Sequence, residues 1–424
     1  MSDTSAPRST IRQGRVVPRF AMSMTSVNIG LVAILLLAAN GALYRFGPMT
    51  GIIWNVATAI CVFWFIRSPR AMSNLLAQHW ALLLLPLFAI LSTVWSGART
   101  YTFYDSVQML FTAIISLRIV NVFTTRQLMI ALMISMGGAT ILSVANMLTG
   151  ALQPVYEVNG ALLGIFTQKN NFAKAVFWGA FATTALSLMY RRPIIGIVVS
   201  AVTFPLTIMA LSKTGQLGYG FIPVLLLLAA LRRLPISSRI MLPALFGLTL
   251  AALAVVYTVT GGALIGDFLI LMGKSPTLTG RTVIWGLGLE VWRENMLVGI
   301  GLSTFWNSPA YADAVNFISA NVDDGLQGFH NVYVEYLVAF GIIGGGYVIG
   351  MLGFTWARLL RAYLVTRSLD VAIWLAIMTA LIVFGGFEDS FSKVRSGHLM
   401  LAFMAISYAQ TTARKLRERG LSRA

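Results

Sequence analysis

Stretches of roughly 20 predominantly apolar residues, the length an α-helix needs to cross hydrocarbon, recur from residue 28 to residue 412, with charges confined to the gaps. That pattern leaves little choice of fold, because in lipid each backbone N–H and C=O must be paired within its own segment. Twelve spans are expected: 28–44, 48–66, 79–95, 106–123, 128–148, 172–190, 194–211, 215–231, 239–260, 331–356, 370–387 and 396–412. The expected fold class is an all-α polytopic membrane protein with about 12 transmembrane helices and one large outer loop that contains short helices. The organisation is a basic leader (1–27), helices one to nine (28–260), the loop (261–330), helices ten to twelve (331–412) and a basic tail (413–424). Only 11% of the residues are charged, against roughly 25% in soluble domains.

Charge fixes the orientation. With the N-terminus inside, 21 of the 31 Lys and Arg fall on the cytoplasmic side, together with only Asp3, Asp370 and Glu418 of the 14 acids. The net charge of +17 is therefore the positive-inside bias. A surplus that large would suggest nucleic acid in a soluble protein, but here the charges sit in short loops with no aromatic-rich binding domain, so nucleic acid is not an expected partner. The single cysteine, Cys61, excludes an internal disulfide framework and a thiolate metal cluster. Small residues in "AANGA" at 38–42 resemble a cleavage site, but the long basic leader fits a signal anchor.

Most connections are tight, and prolines close helices at "RRP" (191–193) and "LRRLP" (231–235). Two outer segments are longer: about 149–171 and about 261–330. Loops of that length in a compact protein are functional or disordered. The second holds Trp285, Trp292 and Trp306 and is expected to be ordered. Trp285, Leu289, Trp292 and Met296 share one helical face and Glu290, Arg293 and Glu294 another, the pattern of an interfacial helix anchored by tryptophan.

Five cationic or titratable side chains fall at the outer boundary, where the positive-inside rule does not account for them: Lys169 and Lys174 in "TQKNNFAKA", Lys213 in "LSKTGQLG", Arg281 in "TGRTVIW" and His330 in "GFHNVYVEYL". Singly, each reads as a snorkelling anchor or a satisfied interfacial histidine. Jointly, at one membrane level, they suit a diphosphate: arginine supplies forked donors and lysine a mobile charge. A lipid-linked sugar diphosphate carries its anion at that depth, and Asn170 lies beside Lys169 as a further donor. The acidic pairs Asp323–Asp324 and Glu388–Asp389 read as isolated, so neutralisation by protein cations without metal or other cofactor is the expectation. His330, just before a helix, meets the positive end of its dipole, which favours a neutral imidazole able to take a proton from a sugar hydroxyl.

These motifs, with "LSTVWSGARTYTFYDS" (91–106), "GIFTQKNNFAKA" (164–175), "LSKTGQLG" (211–218), "TLTGRTVIW" (277–285) and "FHNVYVEYLVAFGIIG" (329–344), follow an order that resembles the O-antigen ligase and O-antigen polymerase superfamily, leaning to its exopolysaccharide polymerase branch. The resemblance implies a GT-C-like, metal-independent glycosyltransferase of the bacterial inner membrane, both termini cytoplasmic and its active site periplasmic. Its implied partners are an undecaprenyl-diphosphate-linked glycan donor, a glycan acceptor (lipid A–core or a lipid-linked repeat unit) and the bilayer. It assigns Arg281 to the diphosphate and His330 to activation of the acceptor. Lys213 stands where the family has arginine, which keeps the charge and loses the fork. A rival reading from another class is transport of a small anion such as bicarbonate, which predicts polar residues threading the bundle centre.

Overall fold

The computed structural model describes residues 19–232, 281–321, 328–388 and 391–420. The ninth expected span, loop residues 261–280, the Asp323–Asp324 pair and the leader before residue 19 lie outside them. Among the described residues the elements are helices, plus one isolated bridge between Tyr156 and Leu162. In chain order they are α1 (Arg19–Ala39), α2 (Met49–Arg67), α3 (Pro69–Gln78), α4 (Trp80–Leu91), α5 (Arg99–Val122), and α6 (Thr125–Leu132), which continues through a π turn into α7 (Gly138–Thr149). Next come α8 (Lys169–Met189), α9 (Pro193–Met209), α10 (Lys213–Tyr219) and α11 (Phe221–Leu231). The last group is α12 (Arg281–Glu294), α13 (Thr304–Asn307), α14 (Ala312–Asn321), α15 (Val332–Thr366), α16 (Leu369–Gly385) and α17 (Gly397–Glu418).

Among the described residues six helices are long and apolar enough to cross a membrane, or seven if the bent pair Pro69–Gln78 and Trp80–Val94 forms one span. The expected spans that fall on described residues all overlap helices, although several of those helices are shorter than a full crossing. Two boundaries differ in an instructive way. The helix expected from 106 starts at Arg99, because "RTYTFYD" is polar enough to leave hydrocarbon yet contains no breaker. The helix expected to end at 356 continues to Thr366 through "WARLLRAYLVT", made almost wholly of good helix formers. The connection after Arg67 is itself helical: α3, started by Pro69, is amphipathic and meets α4 at 92°.

The core is built around α8, with 83% of its most apolar window buried. It packs against α6, α7, α9, α10 and α11. Phe172, Phe177, Trp178 and Phe181 are fully buried on it, and Phe384 of α16 meets Phe177 edge-on, ring centroids 5.5 Å apart. Trp178 Nε1 donates to His398 Nε2 at 2.6 Å, tying α8 to the start of α17. These contacts fix the first turns of α8 beside the chain that links α16 to α17.

A second cluster joins the loop helices to the start of α15: Ile284, Ile300, Phe305, Ile318, Phe329, Val334 and Val338. The turn after α12 is laid against a break in α15. Ile300 N donates to Val338 O at 3.0 Å and Ile342 N to Met296 O at 2.7 Å. The break is at Gly341, whose φ of 61° is costly for any side chain, and a Cβ there would sit 2.3 Å from Leu297 backbone. Gly299 makes the reciprocal approach, with a φ of 67° and a Cβ position 2.5 Å from Phe340 N. Backbone meets backbone here only because both residues lack a side chain.

Candidate active site

Four helix N-termini meet around one carboxylate. Glu388, two residues past the cap of α16, is almost wholly buried. Its Oε1 accepts from Asn170 Nδ2 in the first turn of α8 at 3.1 Å and from Thr214 Oγ1 in the first turn of α10 at 3.0 Å. Arg281, the first residue of α12, places its Nη2 3.5 Å from the same oxygen. Oε2 faces Lys174 Nζ of α8 at 3.6 Å and His330 Nδ1, just before α15, at 3.9 Å. Helix N-termini carry unpaired N–H groups and partial positive charge, so the convergence is electropositive even without its side chains.

Local chemistry aims each of these groups. Ser212 caps α10 by accepting from Gly215 N at 3.2 Å, and its hydroxyl donates to Asn170 Oδ1 at 2.8 Å, which leaves the amide nitrogen for Glu388. Asn331 caps α15, accepting from Tyr333 N and Val334 N at 3.0 and 3.2 Å. His330 before it has a φ of 49°, a left-handed conformation that costs a non-glycine residue roughly 1–2 kcal/mol. That reversal turns the ring toward Glu388.

The helix carrying Arg281 is locked to His330. Trp285 Nε1 donates to Phe329 O, the carbonyl directly before His330, at 2.8 Å. Phe329 N donates to Glu335 Oε2 at 3.0 Å, and Glu335 Oε1 accepts from Trp306 Nε1 at 3.3 Å. Gly288 permits the closeness, since a Cβ would stand 2.8 Å from the Phe329 ring. The expected tryptophan-anchored interfacial face is thus corrected in part: Trp285 and Trp292 are half-buried and packed on the second cluster with Phe329 and Phe305.

Of the site residues expected from sequence, the structure gathers Arg281, His330, Lys174 and Asn170 and turns two others elsewhere. Lys213 follows Ser212 but is exposed, its Nζ 3.3 Å from Gln216 Oε1. Lys169 pairs with Glu157 at 2.8 Å, both side chains about 29% exposed. Sequence alone presents Glu388–Asp389 as an isolated pair; the structure corrects this for Glu388, which is the hub of the cluster. Its signal was available, since "FGGFEDS" places an acid at the outer end of an apolar run, at the level where cations had gathered.

Burial pushes the Glu388 carboxyl up, but the Lys174 ammonium, His330 and the Arg281 guanidinium together hold it well below the usual carboxylate range. The group is therefore ionised and takes up part of the cationic charge around it. Two basic side chains, Lys174 and Arg281, face this one carboxylate among the described residues. At 3.9 Å His330 Nδ1 is too far for a hydrogen bond, and it has no hydrogen-bond partner among the described residues. A carboxylate facing Nδ1 favours the proton there, which leaves Nε2 with a lone pair.

Comparison with known proteins points to the same family that the motifs resemble. Residues 198–349 match the family model described as O-antigen ligase, a stretch that includes Ser212, Thr214, Arg281 and His330. Over 272 residues the chain is 26% identical to the exopolysaccharide production protein ExoQ of Rhizobium meliloti (strain 1021), an alignment covering 61% of this chain and 60% of that protein. The chain thus spans less than two thirds of the length of this curated relative. The matched domain and the relative support the likeness to O-antigen ligases and exopolysaccharide production proteins that the motifs carry.

Proposed function

We propose that the protein transfers a glycan from an undecaprenyl-diphosphate donor to a hydroxyl of an acceptor glycan, on the periplasmic side of a bacterial inner membrane. The chain would cross it 12 times, in a GT-C-like arrangement with both termini cytoplasmic. The observation that carries this reading is the meeting of Arg281, Lys174, Asn170 and His330 at the N-terminal ends of four helices. Arg281 keeps part of its guanidinium in solvent, its side chain 21% exposed, while its Nη2 is held by Glu388. It can thus be positioned from behind and still present donors to a diphosphate. Lys174 adds a second cation from the buried side, so charge neutralisation comes from the protein and no metal is required.

In the transfer step His330 Nε2 takes the proton of the acceptor hydroxyl while that oxygen attacks the anomeric carbon. The bond from the anomeric carbon to the donor phosphate oxygen breaks, and the lipid diphosphate leaves with the electron pair. Arg281, with Lys174, stabilises the charge that develops on it, an effect of roughly 10²–10³-fold per donor in comparable sites. Lys213 and Lys169 are left as outer contacts to the incoming donor.

Arg281→Ala and His330→Ala are each expected to abolish product glycan without lowering the amount of protein in the membrane. Retention of activity by both variants would overturn the assignment. Acceptor class is read from envelope glycans of a deletion strain: accumulated lipid-linked chains indicate ligation to lipid A–core, whereas single repeat units or loss of polymer indicate polymerisation.

A further inference from the structure

A cavity of about 610 Å³ lies at the other end of the bundle from Glu388. It is formed where α3 bends into α4, between Gly350–Arg358 of α15 and Gln410–Arg417 of α17. Arg414 stands 17 residues after the start of α17 and Arg358 lies far along α15, so at about 1.5 Å per residue both are more than 20 Å from the carboxylate cluster. This cavity plays no part in the chemistry proposed above.

Its lining has two halves. One is apolar, with Trp80, Tyr347 and Phe354, of which Trp80 and Phe354 are 63% and 58% exposed at the bundle surface. The other is cationic: Arg358, Arg414 and Arg417, with no acidic residue in the wall. Among the described residues none of these arginines has a carboxylate within salt-bridge distance. Arg358 is held over the Phe354 ring at 4.0 Å, and Arg414 Nη2 reaches Gln78 O at 3.4 Å, contacts that fix the guanidinium groups without neutralising them. The frame around them is tied together, with Tyr347 donating its hydroxyl to Ala81 O and His79 Nδ1 bonded to Gln410 Oε1 at 2.6 Å.

A single arginine at a helix end is explained by orientation in the bilayer. Three converging on one concave, half-apolar space carry a repulsion that an anion would relieve. The chain's own undescribed ends are a poor match, since residues 1–18 and 421–424 carry Arg8, Arg12, Arg15 and Arg423 against Asp3 alone. We propose that this cavity seats an anionic phospholipid, its phosphate forked by Arg358, Arg414 and Arg417 and its chains laid along Trp80 and Phe354 toward the hydrocarbon. Arginine matches phosphate with paired donors, and basic pockets between membrane helices are a known setting for anionic headgroups.

The test is lipid retention by the full-length protein, moved from detergent into bilayer discs of phosphatidylglycerol or phosphatidylcholine and then read by native mass spectrometry. The expected result is one phosphatidylglycerol retained per chain and no retained phosphatidylcholine. Retention should fall at least about tenfold in the double variant Arg358→Gln/Arg417→Gln, as expected for losing two charged hydrogen-bond donors. Gly350→Leu gives an independent arm. A Cβ at Gly350 meets nothing within 4 Å, so the larger side chain projects into the cavity on the wall that carries Phe354 while leaving charge intact, and it should lower retention equally. Equal retention of both lipids, or phosphatidylglycerol surviving in Gly350→Leu, would overturn the proposal, the latter by showing attraction to the surface charge alone.

Discussion

Replacing Glu388 by glutamine tests whether the carboxylate organises the cluster or merely lies in it. Glutamine keeps the shape and can still accept from Asn170 or Thr214, so the change removes little except charge. At an effective dielectric of about 20, a unit charge 3.5–3.6 Å away is worth roughly 4–5 kcal/mol, and Lys174 and Arg281 each lose such a partner. That gross loss is not the net one, because the wild-type carboxylate is desolvated and Arg281 can turn toward water. Breaking a buried ion pair from one side costs about 3–5 kcal/mol in practice, and the partial exposure of Arg281 places Glu388→Gln at the lower end.

For a chain of this length about 3 kcal/mol corresponds to a fall in melting temperature of roughly 3–6 °C, measured on the purified protein in one detergent. Transfer activity should fall further, by about 10²-fold, because Arg281 and Lys174 lose the charge that gathers them and His330 loses the carboxylate its Nδ1 faces. A double-mutant cycle with Lys174→Met isolates the contact, with an expected coupling of roughly 1–3 kcal/mol. Additive effects, or melting within 1 °C of wild type, would refute the view that Glu388 holds the cluster together. The sign of the pH effect follows from the same contacts. A carboxyl held below its ordinary value stabilises the fold above the unfolded-state pKa near 4, and that contribution is lost only as pH falls through the lower folded value. Stability should therefore show no Glu388 titration between pH 5 and 8, and acid sensitivity should appear below pH 4.

Trp285→Phe removes the donor to Phe329 O but keeps the ring packing; about 1 kcal/mol of stability and a larger share of activity should be lost, with glycan product and melting temperature as the readouts. Gly341→Ala forces a side chain into Leu297 backbone at an unfavourable φ and should undock the loop from α15, seen as new protease cleavage between residues 295 and 302 and loss of product. Lys174→Ala should abolish activity, whereas Lys213→Ala and Lys169→Ala should lower apparent donor affinity with turnover largely kept; equal effects of all three would argue against the division drawn here.

How far the sequence could be read depended on which force sets each feature. Helix positions follow from hydropathy, a local property, so the described spans overlap the apolar runs, while polar but helix-forming segments such as Arg99–Asp105 extend some of them and others end short. Arg281 and His330 stood out because topology gives no reason for charge at that level. Sequence could not tell Lys174 from Lys213, because the choice depends on which way each side chain faces. Lys174, in the second turn of α8, points into the bundle, whereas Lys213, directly after the α10 cap, points out while its neighbour Thr214 reaches Glu388.

Glu388 was missed for a related reason: acids at the outer face are unremarkable under a rule written for cations. Its importance is a long-range property, arising where four separate segments meet. A buried carboxylate surrounded by helix N-termini explains why the cations can gather before any substrate arrives. Without it Lys174 and Arg281 would repel each other in a poorly solvated space. With it, a residual positive charge remains, held in place and open to solvent where Arg281 and His330 are partly exposed. On the proposed reading a donor diphosphate would then bind to a site whose geometry is already set, with His330 held facing the same carboxylate.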